Sequence, residues 1–110
     1  MDDKEVVWLH GELKTPPMSK EARLEAGDLL RQLQWGETLG MPHSRRMSVI
    51  GSRCHELRVQ DRDVTWRIMY RIDTTEIVIM EVFPKKTQTT PQSVIDNCKQ
   101  RLAAYDGRKV

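Results

Sequence analysis

A chain of 110 residues suffices for one domain with a modest core, and 38% hydrophobic against 31% charged residues means a compact core under a densely charged surface. No run of about 18 apolar residues occurs, which excludes a membrane-spanning helix. The start Met1-Asp2-Asp3-Lys4-Glu5 lacks the basic-then-apolar pattern of a signal peptide, so a cytoplasmic protein is expected. The formal net charge is only +2, but it is unevenly spread. Residues 1–40 carry five Lys/Arg against eight Asp/Glu, residues 41–90 nine against six, and the last twenty four against two. A basic middle of this kind suits phosphate or an acidic partner, although a solvated, salt-bridged surface would carry the same charges. The cysteines Cys54 and Cys98 stand far apart with no C-x-x-C, and are expected as reduced, half-buried thiols.

Glu5-Val6-Val7-Trp8-Leu9 is a short apolar run that reads as a first strand, ended by His10 and Gly11. Lys14-Thr15-Pro16-Pro17-Met18 cannot be helical, because two prolines remove amide donors and restrict the residues before them. Ser19 is then a good N-cap for a helix to about Trp35. Ala22, Ala26, Leu29, Leu30 and Leu33 repeat at the spacing of one buried helical face, and Gly36 is the stop. Leu39 to Pro42 is a turn, and His43 to Gly51 a basic loop running into a short strand. From Arg53 the period changes to two: Cys54, Glu56, Arg58 and Gln60 alternate with His55, Leu57 and Val59 in a half-buried strand. Asp61-Arg62-Asp63 turns the chain into Val64–Ile72, with Trp66, Ile68 and Tyr70 on one face and Arg67, Met69 and Arg71 on the other. Asp73-Thr74-Thr75 turns it again into the apolar run Ile77–Phe83, which reads as a strand buried on both faces and ends in Pro84-Lys85-Lys86. Thr90 as N-cap and Pro91 at the first helical position open a last helix. Its apolar positions are Val94, Ile95, Cys98, Leu102 and Tyr105, and Asp106-Gly107 ends it. The pattern predicts one α+β domain over residues 1–110: an N-terminal strand and helix, an antiparallel meander of three or four strands, and a C-terminal helix.

Strand phase points to a site. If the helices cover the Leu57/Trp66 face, Glu56, Arg58 and Arg67 converge on the open face, near the strand end that carries Lys85 and Lys86. Fixed cations around a phosphate stabilise the extra charge of a pentacoordinate transition state, and the planar arginine fork suits two phosphate oxygens at once. Glu56 is a candidate general base or a holder of an arginine. His55 lies in the apolar phase of its strand and His43 in the basic loop, which suits packing and loop positions as well as chemistry. Trp8, Trp35 and Trp66 fall in core phase or at a helix end and read as packing. No metal site is expected, because Cys54 and His55 are adjacent and no ligand pairs recur at zinc spacing. No glycine-rich phosphate loop or nucleophile elbow occurs.

Three stretches, in order, carry a resemblance: Cys54-His55-Glu56-Leu57-Arg58-Val59, Trp66-Arg67-Ile68-Met69-Tyr70, and Phe83-Pro84-Lys85-Lys86-Thr87-Gln88-Thr89-Thr90-Pro91 with the helix after it. Together they resemble the phage-derived branch of the RelE/HigB toxin family, over nearly the whole chain. The resemblance implies the RelE-like fold and the toxin of a type II toxin–antitoxin pair, whose relatives are mostly endoribonucleases that cut mRNA, often in the ribosomal A site. The ribose 2′-hydroxyl there attacks the neighbouring phosphate, giving a 2′,3′-cyclic phosphate and a 5′-hydroxyl. Carried onto this chain, it implies catalytic roles for Arg67, Lys85, Lys86, Glu56 and Arg58, with His55 a second candidate for the base. Arg45, Arg46 and Arg71 are candidates for RNA contact, and no cofactor is expected. The implied partners are mRNA, the ribosome and a cognate antitoxin of helix-turn-helix type, without a membrane. The sequence departs from the better-studied RelE-type toxins in placing Glu56 where they use lysine, and in lacking an obvious tyrosine at the start of the last helix. A ParE-like topoisomerase-poisoning toxin and a non-catalytic binding module on the same fold are the competing readings.

Overall fold

The computed structural model describes residues 3–15, 17–85 and 88–108. Its elements are β1 (Glu5–Trp8), α1 (Lys20–Gln34), β2 (Ser44–Arg46), β3 (Cys54–Asp61), β4 (Val64–Ile72), β5 (Glu76–Lys85) and α2 (Gln92–Arg108). They form an α+β fold around one five-stranded mixed sheet in the order β1-β5-β4-β3-β2. The expected meander β3-β4-β5 is its antiparallel centre. The first strand joins the same sheet parallel to β5, with Glu5 opposite Glu76 and Trp8 opposite Ile79. The basic loop contributes its strand early, at Ser44–Arg46, where it pairs with β3 as an edge.

Helix α1 follows from its sequence almost residue for residue. Ser19 has an extended backbone and its Oγ accepts from the Ala22 N–H at 3.0 Å, satisfying a first-turn donor. The apolar stripe Ala22, Ala26, Leu29, Leu30 and Leu33 is the buried face. At the far end Gly36 N–H donates to the Leu33 carbonyl and Glu37 N–H to that of Gln32, a Schellman closure that needs the left-handed backbone Gly36 adopts at φ +91. The helix packs on Leu57, Val59, Trp66, Ile68, Tyr70, Ile77 and Ile79, forming one core layer. Each buried leucine contributes roughly 1.5–3 kcal/mol of apolar burial.

Helix α2 covers the opposite face. Ile95, Cys98 and Leu102 pack on Met69, Val78 and Met80, with Met47, Ile50 and Cys54 closing the layer. The expectation that both helices share the Leu57/Trp66 face, leaving the other open, is therefore corrected: the sheet is a central layer with a helix on each side. Both cysteines are buried and unpaired in this second layer, deeper than the half-burial expected. Burial pushes both thiols up, Cys98 to about 12. Polar tethers hold α2 in place: Arg101 NH1 donates to Glu81 Oε2 at 2.8 Å, and Tyr105 Oη donates to Glu76 Oε1 at 2.7 Å. The helix runs past the expected stop at Asp106-Gly107 to Arg108, with Asp106 clamped by Arg71.

Trp66 is core, as expected, but Trp8 and Trp35 are 41% and 60% exposed, so the packing role assigned to those two does not hold. The Trp66 indole donates to Asp61 Oδ2 at 3.0 Å, and the same oxygen accepts from the Ser19 N–H at 2.9 Å. Asp61 thereby ties the start of α1 to the β3–β4 hairpin. These bonds, the Ser19 N–H first, hold its carboxyl below the usual range, which lies near pH 4. Its contribution to stability is present in full above that value and is lost as pH falls through the lower, folded pKa. Asp61→Asn is expected to lower the urea midpoint at pH 6 and to flatten the acid loss below about pH 4, as a series of urea melts would show.

Gly11, at φ +88, lies where an added Cβ would meet Val82 Cβ and Cγ2 at 2.9 Å. Only glycine lets the chain leaving β1 cross β5 this closely. Gly11→Ala is expected to destabilise by roughly 2 kcal/mol or more, from the left-handed backbone and the clash together, read as a lower thermal midpoint.

Candidate active site

In an antiparallel pair, residues directly opposite share a face. The β3–β4 register sets Arg58 opposite Arg67 and Glu56 opposite Met69, and the β2–β3 register sets Arg45 opposite Glu56. Lys85 reaches this face through an irregularity. The β4–β5 register pairs Met69 with Glu81 but Tyr70 with Ile79, so Met80 is an extra residue on β5. Before it, Ile77 and Ile79 point to α1; after it the phase is reversed, and Lys85, opposite Thr65, falls on the face of Arg67. A regular strand would have sent Lys85 to the α1 side.

The centre of the cluster is Glu56, which is fully buried. Its Oε1 lies 3.3 Å from Arg67 NH1, which donates to it, and 3.2 Å from Arg45 Nε. Its Oε2 accepts from Thr90 Oγ1 at 3.4 Å and lies 3.8 Å from Lys85 Nζ, which itself donates to Thr90 Oγ1 at 3.2 Å. Thr90, expected only as a helix cap, thus links the start of α2 to the carboxylate. Arg67 and Lys85 are almost wholly buried, Arg58 is half-buried, and the Arg45 side chain is 39% exposed, so Arg45 and Arg58 form the outer rim.

One carboxylate stands among four cations, three of which it contacts. Arg58 and Arg67 stand at directly opposed positions, where like charges repel. Burial pushes the Lys85 ammonium down, opposed by Glu56 and reinforced by Arg67, Arg45 and Arg58. Burial likewise lowers the Arg67 guanidinium, and Arg58 and Arg45 add to the effect. Arg67 Nε and Arg45 Nε are buried without a hydrogen-bond acceptor. Arg45 Nε still lies 3.2 Å from the Glu56 carboxylate, but the Arg67 donor has no such partner and is costly unless an anion meets it. The arrangement is a preorganised anion site with a positive surplus.

The sequence-derived candidates divide. Arg45, Glu56, Arg58, Arg67 and Lys85 come together; Lys86 lies outside the described residues. His55 and Arg46 pair with each other on the opposite face of the sheet, His55 stacked on Tyr70, so His55 is not within this cluster. The phase of β3 alone decides that. Arg71 shares the cluster's face but is occupied elsewhere. It donates to Asp73 at 2.8 and 2.9 Å and to Asp106 at 2.9 and 2.8 Å, and these acceptors, Asp106 first, raise its pKa. A guanidinium held on both edges is a clamp for α2 rather than a free fork for RNA. The acceptor Asp106 comes from the last helix, which no local pattern around Arg71 reveals.

Among the described residues no group of three or more His, Cys, Asp or Glu side chains is placed to hold a metal ion, and no helix is long and apolar enough to cross a membrane. No curated protein gives a significant match to the chain. Residues 12–103 match the family described as phage-derived protein Gp49-like (DUF891). With most of its length inside that match, and the cationic cluster within the matched region, the chain belongs to the Gp49-like family, which is associated with RelE-like toxins of toxin–antitoxin systems.

Proposed function

We propose that this protein is the toxin of a type II toxin–antitoxin pair, of the RelE/HigB kind, and that it is a metal-independent endoribonuclease cutting mRNA on the ribosome. The observation that carries this is the surplus of cations around Glu56, with Arg67 Nε a buried donor lacking an acceptor, in a chain of a toxin-associated family. The scissile phosphate enters between the rim arginines Arg45 and Arg58 and reaches inward to Arg67, its nonbridging oxygens taken by the Arg58 and Arg67 guanidinium groups. The ribose 2′-oxygen attacks phosphorus, the bond to the 5′-oxygen breaks, and a 2′,3′-cyclic phosphate and a 5′-hydroxyl result. Attack releases the 2′-hydroxyl proton to solvent at the exposed rim. The departing 5′-oxygen takes a proton from water at the rim, while Lys85, almost wholly buried against Thr90 and Glu56, supplies fixed positive charge behind the phosphate. Glu56 is a positioning residue, because both its oxygens are engaged and it has no exposed edge for a ribose hydroxyl. A cognate antitoxin, a small helix-turn-helix protein, neutralises the toxin.

Induced expression followed by mapping of RNA 5′ ends tests the proposal. Growth arrest with new 5′-hydroxyl ends inside translated reading frames is the expected result. Arrest with intact mRNA and inhibited DNA supercoiling would overturn it in favour of a topoisomerase poison.

A further inference from the structure

Behind β3, on the side away from Glu56, a cavity of about 570 Å³ is lined by Arg46, Ser48, Ser52, Arg53, His55 and Ile72. We propose that it holds one nucleotide unit of an RNA strand, with the base stacked on the His55 imidazole and the phosphate between Arg46 and Arg53. The choice of RNA as the polymer rests on the function proposed above; the cavity's chemistry does not.

Three observations converge. The first is a stacking platform. His55 lies parallel to the Tyr70 ring, 5.3 Å between centroids and 21° apart. Tyr70 is 1% exposed and fixed by a 2.6 Å hydrogen bond with Ser44 Oγ. Tyr70 covers one face of the imidazole, while the half-buried ring lines the cavity. Burial, and then Arg46, push the His55 pKa down, which favours the neutral ring that stacks on a base. The second is undercompensated positive charge. Arg46 forms no ion pair among the described residues, and Arg53 NH1 lies 3.6 Å from Asp73, a carboxylate already held at both oxygens by Arg71. The third is backbone strain. Arg53 sits at φ +62, a left-handed conformation that glycine or asparagine adopts more easily, at the mouth of a cavity its own side chain lines.

The position completes the case. Ser44–Arg46 is an edge strand, and successive side chains on a strand point to opposite faces. Arg45 faces Glu56 and Arg46 faces His55. An RNA strand passing over this edge would meet the anion site on one side and the His55 cavity on the other. The volume falls within the ordinary range for ligand sites, about 300–1,000 Å³.

Backbone-amide NMR of the full chain, titrated with adenosine 5′-monophosphate and with a 2′-O-methyl RNA hexamer that cannot be cut, tests the proposal. Both are expected to shift the amides of His55 and Ile72, the hexamer at lower concentration. Arg46→Ala and Arg53→Asn, the latter keeping a residue that tolerates the left-handed backbone, should each weaken the hexamer about tenfold and reduce its log–log salt slope by about 0.7. His55→Phe should retain binding and His55→Ala lose it, a split that a proton-transfer role would not give; thermal melts establish that each variant is folded. Absence of shifts at His55, or hexamer binding undiminished in Arg46→Ala and Arg53→Asn, overturns the proposal. The mononucleotide binding as tightly as the hexamer would overturn the strand assignment. Shifts at His55 in a protein that cuts no RNA would defeat the nuclease proposal and leave this site standing, and cleavage without such shifts would do the reverse.

Discussion

Glu56→Gln is expected to lower the stability of the folded chain by roughly 3–5 kcal/mol, more than loss of any one of its cationic partners. The reason is charge balance inside a dry site. Arg45, Arg67 and Lys85 all approach the same carboxylate within 4 Å, and Arg58 stands across from Arg67. Removing the single negative charge leaves two almost wholly buried cations facing each other and the rim arginines with nothing between them. A glutamine keeps the shape and an acceptor, so the loss isolates charge from packing. Sulfate should raise the urea midpoint of Glu56→Gln well beyond the effect of chloride at equal ionic strength, because a tetrahedral dianion can bridge the uncompensated arginine forks at the rim while chloride cannot. In the folded fraction, cleavage should fall far less than the 10²–10⁴-fold expected on removing a general base. A collapse of activity with unchanged stability would return Glu56 to the role of base.

How the sequence relates to this site is uneven, and the unevenness has physical causes. The stripe of α1, its cap and its stop are local, fixed by residues within four positions of one another, and they were legible. So were the two central strands, since a period of two is equally local, and with it the common face of Glu56, Arg58 and Arg67. What alternation cannot tell is which layer covers each face. The face of Cys54 and Met69, expected to be open, is covered by α2, as are Val78 and Met80 of β5. The unbroken apolar run of β5 carried the needed hint, because a strand buried on both faces requires a cover on both. The placement of Lys85 was read correctly as a neighbour of the arginines, but phase counting alone would have sent it to the α1 side; the extra residue at Met80 reverses it. Thr90 reads locally as a helix cap, but α2 begins at Gln92 and the Thr90 hydroxyl is engaged by Lys85 and Glu56 instead. The engagement of Arg71 with Asp106 is not legible locally, because the acceptor lies 35 positions away.

Arg67→Ala, by contrast, is expected to abolish growth arrest and to reduce RNA cleavage by about 10²–10³-fold, while costing less stability than Glu56→Gln. After its removal Glu56 still has Thr90, Arg45 and Lys85, and the repulsion between Arg58 and its cross-strand neighbour is relieved. The folded state therefore loses one contact and one conflict together. The transition state has no such compensation. Charge on the equatorial oxygens grows as the phosphorus becomes pentacoordinate, and Arg67 Nε is a donor with no other partner to satisfy. Arg67→Lys keeps the charge but not the planar fork, and should recover no more than a small part of the rate. The ratio of these two variants, read as cleavage of a translated message, separates a fork that grips the phosphate from a positive charge that merely attracts it. Both variants folded but slow, with Arg67→Lys scarcely faster than Arg67→Ala, would place the arginine fork on the reacting phosphate, whereas substantial recovery in Arg67→Lys would leave only a charge. Equal rates for the wild type and both variants would leave the cluster a folding device, with the toxin acting through another surface.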